Sequence, residues 1–235
     1  MKLIRFKEIN STNTYLKENY NSLDNLTVVV ANHQTMGKGR LGRTWIDNDD
    51  LLFSILIKDG IEKATDYSLL IASTIIKVLD KYNPTVKWPN DIMIGDKKIC
   101  GILLEAVTKE KIKCVVIGIG INVNTTSFPD DLRVKASSLK LISNESINKE
   151  ELLTTIINKF NEEYNKYLNK ESDYILNISN HFYLNNKKVS FYYQGKDCEG
   201  IVLGISNNGE LIVDYNSQEL YLKSGEVTLE ETYKK

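Results

Sequence analysis

Apolar residues in the first half of the chain form short unbroken runs instead of alternating with polar residues. Runs of this length that are rich in Val, Ile and Leu are typical of strands buried on both faces of a sheet. They predict strands over residues 1–9, 26–34, 51–58 and 113–124, and a strand, a corner and a hairpin over residues 85–107. The hairpin turn is expected at Gly95-Asp96, because this dipeptide suits a tight turn.

Helical spacing replaces this pattern in three segments. The side chains of the Ser11-Thr12-Asn13 group are suited to cap a short helix. Leucines and isoleucines recur on one face between about residues 62 and 82. A third helix is expected over residues 148–170, where Asn148 is followed three residues later by Glu151, as in a capping box. The first part of the chain is therefore expected to contain both strands and helices.

The last part of the chain has a different pattern. From residue 185 onward, short strand-like runs such as VSFYYQG, ELIVDYN and EVTLEE are separated by Gly or Asn turns. This pattern predicts a small antiparallel barrel or meander of about 50 residues. We therefore expect one domain over residues 1–184 and a second over residues 185–235.

Composition excludes several classes of protein. A chain of 235 residues can bury a sizeable core, and its net charge of -1 gives no bulk attraction to nucleic acid or to anionic membranes. No segment has the length of a signal peptide core or of a membrane span, so we expect a cytoplasmic protein without a membrane. The three cysteines and two histidines lack metal-ligand spacing, which argues against a zinc site or a Ser-His-Asp triad.

The stretch QTMGKGRLGRTW contains a literal G-x-G-x-x-G and two of the four arginines in a lysine-rich chain. A guanidinium offers a planar bidentate fork that an ammonium lacks, so Arg40 and Arg43 suggest recognition of phosphate or carboxylate. A dinucleotide-binding fold is excluded because the next segment is predicted to be a turn and a strand, not a helix. A protein kinase is excluded because its downstream motifs are missing. Glycines in a surface turn would otherwise be the default explanation.

Two later segments make a functional site more plausible than a surface turn. KWPNDIMIGDKKICGILLEA and GIGINVN combine polar side chains with glycine inside buried strands, where something must approach the backbone closely. Trp45 and Trp88 lie beside these segments and are suited to wall a pocket for a flat ligand.

Taken together, STNTY, QTMGKGRLGRTW, KWPNDI, KKICGILLE, GIGINVN and ASSL resemble the biotin protein ligases, and the similarity extends through nearly the whole chain. The resemblance implies an α+β fold, in which a catalytic domain with a mixed sheet flanked by helices is followed by a small C-terminal SH3-like barrel. It implies an enzyme that uses ATP, Mg²⁺ and biotin to form biotinyl-5′-AMP and then modifies a lysine of a biotin carboxyl carrier protein. The carriers would be acetyl-CoA carboxylase and other biotin-dependent carboxylases. Since Met1 directly precedes the first catalytic strand, no DNA-binding domain is expected.

The resemblance also assigns residues to the two steps. It implies catalytic roles for Lys98, Arg40 and Asp91, with Asp91 orienting or deprotonating the acceptor lysine. It implies biotin contacts from Ser11, Thr12, Asn13, Gln34, Gly37, Lys38, Gly39, Arg40, Lys98 and Gly101. It implies nucleotide contacts from Arg40, Arg43, Trp45, Asn90 and Asn122. The metal ligands are not assigned. The family usually has arginine where this chain has Lys38, so the bidentate fork is lost there.

Structural roles remain open for some of these residues. The Ser11-Thr12-Asn13 group is also a helix cap, Trp88 is also a core residue, and Asp91 is also a turn carboxylate. A lipoate or octanoyl ligase or transferase of the same fold is the rival enzyme, although the polar set and the glycine loop favour biotin. A nucleic-acid-binding module is the rival of another class, which the net charge disfavours. A homodimer through an exposed sheet edge is left open. Because acyl phosphates hydrolyse, we expect residues 35–46 to be mobile without ligand and to close over the intermediate.

Overall fold

The computed structural model describes residues 1–46 and 48–224 and the backbone of residues 229–230. Seven strands form a mixed sheet in the order β1-β2-β3-β7-β6-β5-β4, with β1 and β2 parallel and every other neighbouring pair antiparallel. These strands are β1 (Leu3–Ile9), β2 (Val28–Gln34), β3 (Leu51–Ile57), β4 (Pro84–Lys87), β5 (Asp91–Ile94), β6 (Lys97–Thr108) and β7 (Ile112–Ile121). The central position of β7 brings the chain segments before β3 and before β6 to the same end of the sheet.

Helices cover both faces of this sheet. They are α1 (Thr12–Asn19), α2 (Asp66–Val78), α3 (Asp130–Arg133), α4 (Leu139–Ser143), α5 (Lys149–Leu168) and α6 (Tyr174–Asn180). On one face, α2, α5 and α6 bury the main core, whose largest side chains include Phe53, Tyr67 and Phe160. On the other face, Leu16 of α1 packs with Val29 in a smaller cluster. The continuous apolar runs follow from this arrangement, since both faces of the central strands are buried.

The predicted helices are confirmed with shorter bounds. The segment predicted over residues 62–82 contains α2 between two short 3₁₀ turns, Ile61–Lys63 and Asp80–Tyr82, and it ends where Asn83 adopts a left-handed conformation. Asn148 caps α5 as expected, because its side-chain oxygen accepts from the first backbone N–H groups. The short helices α3, α4 and α6 were not predicted, since four to seven residues are too few to show a helical period.

The antiparallel C-terminal unit is also present. Its strands are β8 (Lys188–Tyr193), β9 (Lys196–Ile205), β10 (Leu211–Tyr215), β11 (Gln218–Leu222) and β12 (Leu229–Glu230), in the order β11-β10-β9-β8-β12. The expected barrel is corrected to an open sheet in the described part of the chain, because β11 and β12 lie at opposite edges and do not pair there. The remainder of the predicted EVTLEE strand lies outside the described residues.

The C-terminal unit packs against the main sheet and α2 through the turn between β9 and β10. The indole Nε1 of Trp88 donates to the carbonyl of Gly209 at 2.9 Å. Gly209 has φ +78° and lies so close to α2 that a Cβ there would be 2.6 Å from Cδ1 of Leu69. Trp88 is therefore a core residue that also joins the two units. Among the described helices, none has the length and apolar character needed to cross a membrane.

Candidate functional site

A cavity of about 850 Å³ opens where the glycine loop, the start of α1 and the β4–β5 corner meet. This size is within the range of small-molecule sites. All the predicted site residues except Gly37 line it: Ser11, Thr12, Asn13, Gln34, Lys38, Gly39, Arg40, Arg43, Trp45, Asn90, Asp91, Lys98, Gly101 and Asn122. Gly37 instead supports the loop from behind, since a Cβ there would be 2.7 Å from the carbonyl oxygen of Trp45.

The glycine loop is a hairpin-like flap between β2 and β3. The N–H of Trp45 donates to the carbonyl of Gly37 at 3.0 Å, and the N–H of Gly39 donates to that of Arg43 at 2.8 Å. Leu41 and Gly42 form its tip with φ angles of 56° and 74°, in the left-handed region. The strand that follows confirms the exclusion of a dinucleotide-binding helix.

Arg40 extends from this flap to the β4–β5 corner. Its Nη1 donates to Oδ1 of Asn90 at 2.9 Å, and its Nη2 donates to the carbonyl of Ser224 at 3.4 Å. Burial lowers the pKa of the Arg40 guanidinium, and the nearby charge of Asp91 works against this effect. The guanidinium is thus a fixed, partly desolvated cation inside the cavity, whereas Arg43 lines the cavity from an exposed position.

Lys98 and Asp91 form an ion pair across the β5–β6 hairpin. Lys98 Nζ lies 2.8 Å from Asp91 Oδ1 and 5.7 Å from the ring centroid of Trp45. The register of the hairpin places Asp91 opposite Gly101 and Lys98 opposite Met93, so the ion pair runs diagonally across the two strands. Asp91 is therefore more than a turn carboxylate, because it fixes the ammonium group that the sequence singled out.

The start of α1 carries a directed hydrogen-bond chain. Asn13 Nδ2 donates to Glu105 Oε2 at 2.7 Å, so the amide oxygen of Asn13 faces Ser54 and accepts its hydroxyl proton at 2.6 Å. Ser54 has one proton, so Ser54 Oγ is an acceptor in its 2.6 Å contact with Thr12 Oγ1, and Gln34 Oε1 at 3.0 Å is a second acceptor for the single Thr12 hydroxyl proton. Gln34 Oε1 accepts from the backbone N–H of Thr12 at 2.7 Å. Thr12 Oγ1 consequently keeps acceptor capacity at the cavity wall.

Ser11 has both of the roles considered for it. It lines the cavity, and its side chain caps α1 by accepting from the N–H of Thr14 at 3.4 Å. Lys38, the departure from the family pattern, lies on the exposed side and donates to Thr14 Oγ1 at 3.1 Å. The ammonium group of Lys38 thus joins the flap to α1.

Sequence reasoning missed Ser54 and Glu105. Ser54 is fully buried within the apolar run of β3, and a hydroxyl at such a position was the available signal. Glu105 accepts from both Asn13 and Lys17. Burial, the largest influence, raises the pKa of Glu105, but the hydrogen bonds from Lys17 and Asn13 lower it overall.

The glycines inside β6 and β7 allow other side chains to lie directly against the backbone of the cavity wall. A Cβ at Gly118 would collide with the side-chain oxygen of Asn13. At Gly120 and Gly101 it would lie 2.6 Å and 2.8 Å from atoms of the Trp45 ring. The expected close approach to the backbone is therefore confirmed, and the groups that approach it are the side chains of Asn13 and Trp45. Among the described residues, none accepts a hydrogen bond from the buried Nε1 of Trp45, so this N–H is suited to donate to a ligand.

Asn122 lines the cavity but is tied to neighbouring backbone. Its Nδ2 donates to the carbonyl of Ser137 at 2.9 Å, and its backbone N–H donates to that of Ile99 at 2.8 Å. These bonds hold the end of β7 against the strand that carries Lys98. A nucleotide contact from Asn122 remains a prediction. Within the described ranges, no three His, Cys, Asp or Glu side chains are grouped to hold a metal ion.

Comparison with known proteins agrees with this geometry. The chain is 30% identical over 221 residues to the bifunctional ligase/repressor BirA of Bacillus subtilis, covering 86% of this chain and 66% of that protein. It is 24% identical to the biotin--[acetyl-CoA-carboxylase] ligase of Mycobacterium tuberculosis, covering 85% and 77% of the two chains. The biotin protein ligase from Aquifex aeolicus, solved in complex with biotin and ATP, superposes with a TM-score of 0.87 at 27% identity over 98% of this chain and 99% of that one.

The region that matches the family contains most of the residues that line the cavity. The chain spans 66% of the length of the Bacillus subtilis protein and 61% of that of a 32% identical BirA from Bacillus spizizenii, which is less than two thirds of each. The sequence pattern of the Biotin/lipoate A/B protein ligase family matches residues 5–122, half of the chain, and this range includes the flap, Asp91 and Lys98. The chain belongs to the Biotin/lipoate A/B protein ligase family.

Proposed function

We propose that this protein activates biotin with ATP as biotinyl-5′-AMP and transfers the biotinyl group to a lysine of a biotin carboxyl carrier protein. The observation that carries the proposal is that Arg40 and Lys98, from two separate segments, line one cavity together with the polar start of α1. The likeness to the Aquifex aeolicus biotin protein ligase over nearly the full chain supports it. We also propose that the enzyme acts in the cytoplasm, because its reaction would need ATP and a carboxylase there.

The start of α1 is suited to the ureido end of biotin. A cyclic urea has two N–H donors and one carbonyl acceptor, so its site needs groups of both kinds. Thr12 Oγ1 has acceptor capacity left, and Gln34 and Ser11 line the same wall. Because Asn13 and Ser54 fix the direction of the hydroxyl chain, these groups are oriented before the ligand arrives.

The cationic part of the cavity is suited to the first chemical step. A carboxylate oxygen of biotin attacks the α-phosphorus of ATP, and the bond to the leaving pyrophosphate breaks with its electron pair. Two anions meet in this step, so fixed cations stabilise the transition state. Arg40 and Lys98 would supply these charges, and Trp45 with its free N–H would enclose the nucleotide.

Magnesium fits this cavity only as a companion of ATP. Mg²⁺ in nucleotide sites is held by one or two carboxylates and mainly by phosphate oxygens. Two described carboxylates line the cavity, Asp91 and Asp131. Because Asp91 pairs with Lys98, Asp131 would be the carboxylate that holds the ion. The ion would neutralise phosphate charge, while the side chains of this chain orient the substrates.

In the second step, the acceptor lysine attacks the carbonyl carbon of biotinyl-5′-AMP. The bond to the phosphate oxygen breaks, AMP leaves, and the amine loses a proton. Asp91 is the carboxylate beside the activating lysine, so we assign it the orientation of the amine and acceptance of this proton. The flap of residues 35–46 would order over the intermediate and exclude water until the carrier docks. Pairing of two copies through the edge strand β1 remains a prediction.

Incubation with ATP, Mg²⁺, radiolabelled biotin and an apo carrier domain tests the function. We expect label on the carrier lysine and ATP–pyrophosphate exchange that depends on biotin. Lys98→Ala should lower the rate at least about 100-fold, because a preorganised cation is lost from the transition state. Lys188→Ala is the matched control, since Lys188 pairs with Glu199 on the exposed C-terminal sheet.

Two outcomes would contradict the proposal. Full activity of Lys98→Ala with unchanged circular dichroism would remove the catalytic assignment. Labelling by lipoate or octanoate in preference to biotin would instead favour the rival enzyme of the same fold.

A further inference from the structure

The cavity contains more cationic side chains than the proposed chemistry has used. Among its described lining residues, the cations are Lys38, Arg40, Arg43, Lys87, Lys98 and Lys135, whereas the carboxylates are Asp91 and Asp131. The whole chain has a net charge of -1, so this excess of positive charge is local. A local excess of fixed cations inside a cavity is typical of a site for a polyanion.

Lys87 is the innermost of the cations without an assigned role. It is the last residue of β4, directly before the Trp88 corner, and its side chain is half-buried. Its Nζ lies 5.8 Å from the ring centroid of Tyr183, and Lys187 Nζ lies 3.3 Å from the same centroid. Two ammonium groups thus share one aromatic ring at the junction with the C-terminal unit.

The electrostatic environment of Lys87 is unfavourable to its own charge. Burial is the largest influence on the pKa of Lys87, and together with the charges of Lys98, Lys187 and Lys135 it lowers this pKa to about 8, although the charge of Asp91 acts in the opposite direction. A multiply charged anion stabilises a half-buried ammonium group that lies among other cations, because the attraction offsets the lost solvation and the repulsion. Lysine is suited to this role, because its ammonium binds phosphate as a point charge without a fixed geometry.

We propose that Lys87, supported by Lys135 of the same cavity lining, binds the β- and γ-phosphates of ATP and holds the pyrophosphate leaving group. This inference rests on the proposed function and deepens it. When the bond between the α-phosphorus and the bridging oxygen breaks, its electron pair goes to pyrophosphate. The negative charge therefore grows on the leaving group, where Arg40 and Lys98 are already occupied with the α-phosphate and the biotin carboxylate. A separate cation for the β- and γ-phosphates completes the charge balance of the step.

Lys87→Gln tests this assignment, with Lys81→Gln as its matched control. Lys81 also lies over a tyrosine ring, at 4.9 Å from the centroid of Tyr82, but it does not line the cavity. In ATP–pyrophosphate exchange we expect Lys87→Gln to raise the KM for ATP and the KM for pyrophosphate by about 10- to 100-fold, as for the loss of one charge-assisted contact. Lys81→Gln should change neither, and Lys87→Arg should restore most of the affinity.

A ligand without pyrophosphate distinguishes a phosphate site from a structural role. The affinity for a non-hydrolysable analogue of biotinyl-5′-AMP, measured by calorimetry, should be the same in Lys87→Gln and in the unaltered protein. An equal loss of affinity for this analogue, or an unchanged KM for ATP, would overturn the proposal. Direct calorimetry with pyrophosphate alone separates it from the proposed function. If the protein shows no exchange activity, weaker pyrophosphate binding by Lys87→Gln still supports the site, and equal binding refutes it.

Discussion

Gly209 joins the C-terminal unit to the main sheet, and replacing it with alanine tests that junction. Gly209 has φ +78°, and its carbonyl accepts from the indole of Trp88 at 2.9 Å. Gly195 is a matched control in the neighbouring hairpin, with φ +83° and no atom within 4 Å of the position of a Cβ. Both substitutions place a side chain on a left-handed residue, so both carry the same backbone cost of about 1 kcal/mol.

The packing cost is expected at one position only. A Cβ at residue 209 would be 2.6 Å from Cδ1 of Leu69, which is buried in the core and has little room to move. Overpacking of this kind costs about 1 to 3 kcal/mol. Gly209→Ala should therefore lower the free energy of unfolding by about 2 to 4 kcal/mol, and Gly195→Ala by about 1 kcal/mol.

Urea denaturation followed by circular dichroism measures both free energies. Tryptophan fluorescence gives a second measurement, because displacement of the turn breaks the bond to Trp88 and changes its emission. In a Trp45→Phe background, the change reports Trp88 alone. Equal destabilisation by Gly209→Ala and Gly195→Ala, with unchanged emission, would refute the reasoning that this turn fastens the two units.

Two further predictions concern the wall of the cavity. Gly120→Ala should displace the Trp45 ring, which would be 2.6 Å from the new methyl group, and should expose the flap. Trypsin should then cleave faster within residues 35–46, and biotin and ATP should protect this segment less. Unchanged cleavage would contradict the prediction. Glu105→Gln should remove a pH-dependent contribution to stability: the pKa of Glu105 lies below its ordinary value of 4.5, so its ion pair with Lys17 stabilises the fold above pH 4.5 and is lost as the pH falls below it. The urea midpoints of variant and unaltered protein should differ at pH 7 and converge at lower pH, and a constant difference would refute the assignment.

The strands of the main sheet were predictable because a sheet buried on both faces leaves a local signal. The runs around Val29 and Ile55 are apolar without interruption, and both residues are fully buried. The order of the strands has no such signal. β6 and β7 are neighbours in the chain, but the pairing of β7 with β3 depends on packing between segments far apart in the chain, which no local pattern specifies.

The candidate site was predictable where a motif singled out its residues and less so elsewhere. Arg40 and Lys98 belong to segments with unusual composition, so their convergence on one cavity follows from the motifs. Ser54 and Glu105 gain their roles only from contact with Asn13, across more than 40 positions of sequence. Lys87 resembles any other lysine of a lysine-rich chain until burial and neighbouring charges distinguish it.

The central position of β7 has a consequence for synthesis on the ribosome. The flap and the lysine-bearing strand β6 are translated before residues 112–121, but they adjoin only when β7 has paired with both β3 and β6. Nascent chains that stop before this strand emerges contain nearly all the ligand-facing side chains and still lack the pocket. Ligand capture must therefore come late in folding, and a ligand is unable to act as a template for the earlier stages.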